Sequence, residues 1–139
     1  FWILCAVVLL AVPKTRKTGY AAVLSLIFGV IVTNLLLKNI VARPRPFAEI
    51  EALIPLIAKP TDFSFPSGHT TASFAVALVM LRMLPKKIGI PAVVLAALVA
   101  FSRLYLGVHY PTDVLTGFVV ALVGSSLAVW GVRTKLGNQ

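Results

Sequence analysis

Apolar residues run along this chain in long, nearly unbroken blocks, and short polar clusters separate them. The blocks cover residues 1–12, 19–41, 66–84, 88–106 and 111–132. Continuous blocks of this kind, without the polar stripe of a surface helix, read as membrane spans once they approach roughly 20 residues. The second block, set between "KTRK" and "RPRP", is a full span. The third opens at "PSGHTTAS", where Pro66 and Ser67 form a helix start, and stops at the "PKK" of residues 85–87. Gly107 ends the fourth block and Pro111 starts the fifth. The first block is shorter than a span, so the chain is expected to lack amino-terminal sequence. The pattern predicts an all-α, polytopic membrane helix bundle of about five spans, the first incomplete, with residues 1–139 forming one transmembrane domain. Between the second and third spans, prolines at 44, 46, 55, 60 and 66 predict a bent loop. A short interfacial helix is expected over residues 48–58.

Composition agrees with the pattern. With 59% hydrophobic and only 12% charged residues and a mean hydropathy of +0.97, the chain lies far from ordinary soluble domains. Cys5 is the single cysteine; it can form no disulfide within the chain and is expected to face lipid or pack in the bundle. The formal charge of +9 is unevenly placed. If alternate loops lie on opposite sides of the bilayer, Lys14, Arg16, Lys17, Arg82, Lys86, Lys87, Arg133 and Lys135 share one side. All four acids, Glu49, Glu51, Asp62 and Asp113, fall on the other. The positive-inside rule makes the first side cytoplasmic and puts the polar clusters on the outer face of the plasma membrane. Basicity therefore reflects topology, and no nucleic-acid partner is expected, because the cations sit in short loops beside helix ends.

Three of those clusters hold chemistry that a membrane protein tolerates only with reason. In "KNIVARPRP", Lys38 and Arg45 are seven residues apart and can reach one anion at a helix end, although Lys38 alone would also suit simple snorkelling. In "FPSGHT", Ser67 can cap a helix, Gly68 allows close backbone approach, and the free amides of the first turn suit phosphate. His69 projects from that turn as a candidate proton donor, or as an incidental histidine beside a plain cap. In "SRLYLGVHYPTD", His109 and Asp113 are four apart, so the carboxylate can orient the imidazole as a nucleophile or form a structural ion pair with it. Arg103 offers a planar fork of donors for phosphate oxygens.

Taken together, Lys38-x6-Arg45-Pro46, Pro66-Ser67-Gly68-His69 and Ser102-Arg103-x5-His109-x3-Asp113 resemble the signature of the type 2 phosphatidic acid phosphatase (PAP2) superfamily, over about residues 19–132. The resemblance implies His109 as the nucleophile that forms a phosphohistidine, Asp113 as its orienter and His69 as the general acid. Lys38, Arg45, Ser67, Gly68 and Arg103 would be the phosphate cradle, with neither metal nor cofactor. The expected partners are the bilayer and a lipid phosphate or diphosphate such as undecaprenyl diphosphate, phosphatidylglycerol phosphate or phosphatidate. Two other readings use the same residues. One is vanadate-dependent haloperoxidation, known from soluble members of the superfamily and disfavoured by the apolar spans. The other is a non-catalytic lipid-binding or scaffold protein, suggested by the small-residue row Gly117, Ala121, Gly124 and Ala128, which bundle packing also explains.

Overall fold

The computed structural model describes residues 1–137, and no strand occurs among the described residues. Helix α1 (Trp2–Ala11) ends at Pro13, where a single tight turn (Pro13–Thr15) redirects the chain into α2 (Arg16–Val30). The rod continues through a π-helical stretch (Ile31–Leu37) into α3 (Lys38–Val41). It stops at Ala42, whose left-handed backbone (φ 47°) ends the helix just before Pro44. One turn, α4 (Pro46–Glu49), follows; then come α5 (Gly68–Met83), α6 (Lys86–Tyr105) and α7 (Pro111–Leu136).

Two local features depart from the pattern-based reading. The interfacial helix expected over residues 48–58 does not form. Beyond Glu49 the chain runs without helix to the start of α5, because Pro55 and Pro60 supply no N–H and bar a continuing ladder. The segment is tied to other elements instead: the amides of Leu56 and Ser64 donate to the carbonyls of Leu106 and Arg43. The π-helical winding had no expected counterpart. It brings Thr33 into hydrogen-bonding distance (3.1 Å) of Thr71 on α5 in a buried position, the kind of local rewinding that often marks functional sites.

Helix α5 is the centre of the bundle, packed against α2, α6 and α7, with α1 leaning on α2. Its Ala75, Val76, Ala77 and Val79 are fully enclosed. Facing them are small residues: Ala21 and Ala22 on α2, Ala92, Ala96 and Ala100 on α6, and Ala121 and Ala128 on α7. Lipid is as apolar as leucine, so helices gain by close approach rather than by hiding hydrocarbon, and small side chains permit it. Gly117 shows the limit: a Cβ there would stand 2.8 Å from the Ser67 carbonyl oxygen at the start of α5. Large apolar residues instead cover the outside, among them Leu24, Ile27, Leu35, Leu98, Phe101, Leu115 and Trp130. That inverted arrangement, with three helical stretches among the described residues long and apolar enough to cross a membrane (residues 13–49, 86–105 and 111–136), is that of a polytopic membrane protein.

The ends of the bundle differ in chemistry. At one end Arg82 donates to Ser125 Oγ (2.6 Å), Arg133 to the Arg82 carbonyl (2.9 Å) and Lys17 to the Leu136 carbonyl. At the other end the close of α3, the loop that follows it, the start of α5, the close of α6 and the start of α7 converge.

Candidate active site

The converging ends enclose a cavity of about 390 Å³ lined by Lys38, Arg45, Gly68, His69, Arg103 and His109, among others. Local sequence explains how each arrives. Lys38 sits on the last helical turn before Ala42. Arg45 follows Pro44 and precedes the Pro46 turn, which holds its backbone extended (φ −80°, ψ 155°). Ser67 is the N-cap of α5, accepting from the Thr70 amide (3.4 Å) and hydroxyl (3.0 Å), so Gly68 and His69 open the helix into the cavity. Gly107 (φ 71°) ends α6 where a side chain would be strained, and the chain then presents His109 just before Pro111 starts α7.

His109 is buried, and its two ring nitrogens have different surroundings. Nδ1 lies 3.5 Å from Asp113 Oδ2, at the outer edge of hydrogen bonding, and has no nearer partner. Nε2 is 3.4 Å from the Arg45 guanidinium, and His109 lines the cavity. A proton on Nδ1 facing the carboxylate leaves Nε2 unprotonated, with its lone pair accepting from Arg45 Nη1. Asp113 is fully buried, and its carboxylate accepts from the Tyr110 amide (2.8 Å), from Arg43 Nη1 (3.0 Å) and from Ser64 Oγ. So many donors hold it as an anion of fixed orientation.

The cations are held just as closely. Arg45 donates through Nε to the Asp62 carbonyl (2.9 Å), through Nη1 to the Val108 carbonyl (2.9 Å) and through Nη2 to Asp62 Oδ1 (2.6 Å). Lys38 also pairs with the Asp62 carboxylate. Arg103 has no acidic partner among the described residues; its only bonds, both 3.3 Å, go to the hydroxyl of its neighbour Ser102. Partial burial pushes the Asp62 carboxyl up, but the hydrogen bonds and charges of Lys38 and Arg45 outweigh it and hold it at about 2.

The structure thus brings together all eight residues singled out in the sequence, in two layers. Lys38, Arg45, Gly68, His69, Arg103 and His109 face the cavity. Ser67 and Asp113 stand behind it, the serine capping α5 and donating its amide to the Asp113 carbonyl (3.0 Å). Three further participants were not among the expected site residues. Arg43 bonds Asp113 and Thr112 (2.7 Å) and stacks on Tyr110, 3.8 Å from the ring centre. Ser64 supports Asp113, and Asp62 pairs with the cations. Arg43, in the same "RPRP" cluster as Arg45, and Asp62, one of the four acids on the side of the polar clusters, carried a sequence signal; Ser64 carried none.

Fold and site together define a polytopic membrane protein with a cationic, two-histidine pocket at one end of its bundle. The chain belongs to the PAP2 superfamily, whose sequence profile matches residues 18–136. It is 36% identical over 134 residues to an undecaprenyl-diphosphatase of Sulfolobus acidocaldarius, covering 96% of this chain and 63% of the relative. It is 40% identical over 123 residues to the undecaprenyl-diphosphatase BcrC of Bacillus subtilis, covering 87% and 61%. Among solved structures it resembles a transmembrane PAP2-type phosphatidylglycerolphosphate phosphatase from Bacillus subtilis, with a TM-score of 0.65 and 32% identity over 95% of this chain and 65% of that one. The chain therefore spans a little under two thirds of the length of these relatives.

Proposed function

We propose that this protein is an integral membrane phosphatase that hydrolyses a lipid phosphate or diphosphate through a phosphohistidine, with its site at the outer face of the cell membrane. The observation that carries the reading is the environment of His109: a buried imidazole with Asp113 behind Nδ1 and a cavity walled by fixed cations in front of Nε2. In the proposed reaction Nε2 attacks phosphorus and the bond to the leaving oxygen breaks. His69, at the same cavity, protonates that oxygen. Asp113 stabilises the imidazolium without taking its proton. Lys38, Arg45 and Arg103 match the charge on the phosphoryl oxygens, the task that metal ions perform in other phosphoryl-transfer enzymes, so the reaction is proposed to need no metal. Water deprotonated by His69 then attacks phosphorus, the P–N bond breaks, and inorganic phosphate leaves. Ser67 contributes by fixing the start of α5, and Gly68 by leaving its backbone open to the phosphate.

Undecaprenyl diphosphate and phosphatidylglycerol phosphate are the first substrates to test, from the names of the relatives, with phosphatidate beside them. Purified protein in detergent containing chelator is expected to release phosphate from at least one of them and to trap an acid-labile, base-stable phosphoenzyme. Activity that survives His109→Ala, or that requires a divalent metal, sinks the mechanism.

A further inference from the structure

Asp62 is the acid that touches the cations of the cavity, and its placement is unusual. Its side chain is 53% exposed, whereas those of Lys38 and Arg45 are 13% and 6% exposed. The carboxylate thus reaches the cations from the solvent edge, one oxygen on each. Arg45 does not need that carboxylate for its orientation, because two backbone carbonyls, those of Asp62 and Val108, already fix its Nε and Nη1. What the carboxylate occupies is Arg45 Nη2 and a Lys38 donor, the two positions that an entering phosphate would require. There is also room for it to leave. Asn34, Lys38 and Asp62 line both the reaction cavity and a second, outer cavity of about 410 Å³, whose other lining residues are Asn39, Thr61 and Phe63.

Resting on the phosphatase reading, we propose that the Asp62 carboxylate is a built-in counter-anion: it occupies the phosphate donors of Lys38 and Arg45 in the empty site, swings into the outer cavity when a phosphate enters, and so selects for doubly charged heads. Charge accounting gives the selectivity. Exchanging a carboxylate for a singly charged phosphodiester leaves the local charge unchanged, so such a ligand gains little. A phosphomonoester or terminal diphosphate carries roughly −1.5 to −2 near neutral pH and gains more than the carboxylate gives up. A membrane enzyme is surrounded by phosphodiester lipids, and the threshold keeps them from filling its site.

The test is calorimetric binding of inorganic phosphate to the full chain in detergent, together with inhibition of turnover by phosphatidylglycerol, a singly charged phosphodiester. Asp62→Asn and Asp62→Ala are both expected to bind phosphate about three- to tenfold more tightly, the scale of releasing one or two partly exposed ion pairs. They are also expected to become sensitive to phosphatidylglycerol at fractions that leave the unaltered protein unaffected, while Asp62→Glu stays near the unaltered protein. Unaltered protein that binds phosphate, with Asn and Ala variants binding it equally or less well, overturns this inference alone. Absence of phosphate binding by every form overturns the phosphatase reading with it.

Discussion

Replacing Gly117 by alanine tests whether the contact between α5 and α7 sets the geometry of the site. The added methyl would lie 2.8 Å from Ser67 O, 3.1 Å from Thr71 Oγ1 and 3.2 Å from Thr70 Cβ, where ordinary contact begins at 3.4 Å. The nearest of these is a backbone atom, itself accepting from the Thr71 amide and hydroxyl, both at 3.0 Å, and cannot turn aside. Relief requires the helices to part by about 0.6 Å, which lengthens the 3.0 Å bond from Ser67 N to the Asp113 carbonyl beyond hydrogen-bonding range. Overpacking of this kind destabilises by roughly 1–3 kcal/mol. The same shift moves His69, on α5, relative to His109 and Asp113, at the start of α7. Misplacement by about 1 Å can lower a rate on the order of 100-fold, so roughly half that distance predicts a tenfold fall in kcat. Gly124→Ala is the comparison. Its methyl would meet the ring of Phe28, 2.5 Å from Cδ1, two helical turns farther from the site, where a side chain can rotate away. Steady-state kinetics and thermal melting of both variants in one detergent decide the matter. If Gly117→Ala keeps kcat within about twofold of the unaltered protein, or Gly124→Ala loses as much, the helix contact does not position the chemistry.

Ser64→Ala removes a fully buried donor from Asp113; kcat is expected to fall about tenfold, on the scale of one hydrogen bond to a charged group. KM should change less than twofold, since Ser64 does not line the cavity, and a change in KM alone would contradict its supporting role. Asp62 makes a prediction about pH. Its folded value of about 2 lies below the ordinary 3.8, so the stability from its ion pairs is fully present above about pH 4 and is lost as pH falls through about 2. The group is more than half exposed and solvent screens it, so the contribution is small. Acid unfolding in detergent should show a difference between unaltered protein and Asp62→Asn that is constant from about pH 5 to about pH 8, shrinks as pH falls through about 2 and vanishes near pH 1. A difference that varies between pH 5 and pH 8 would refute the assignment.

The helices were legible in the chain because each apolar block ends at a residue with a backbone reason to end it: Gly107, Pro111, and the Pro66-Ser67 start. Most of the pocket was legible too, since Lys38, Arg45, His69, Arg103 and His109 sit at block ends that alternate sides, and alternation alone brings them to one end of the bundle. The contacts of Ser64 and Asp62 were not. These residues reach Asp113 and Arg45 because the loop between α4 and α5 folds back on the bundle, across 49 and 17 residues of chain, and no periodicity encodes such a return. The π-helical winding of residues 31–37 was hidden for a related reason, since it is stabilised by partners on α5 such as Thr71 and not by its own sequence spacing.

Helix α5 has 16 residues and rises only about 24 Å, while the hydrocarbon of a bilayer is about 30 Å thick. The neighbouring α6 and α7 have 20 and 26 residues and rise about 30 and 39 Å, so α5 is the shorter rod between them. On the phosphatase reading, a shortfall at the His69 end would let a lipid phosphate reach the imidazoles without its tail being drawn far into water. Each methylene lifted from the bilayer would cost about 0.8 kcal/mol, so under that reading every methylene left in place lowers the energy of bringing the substrate to the site.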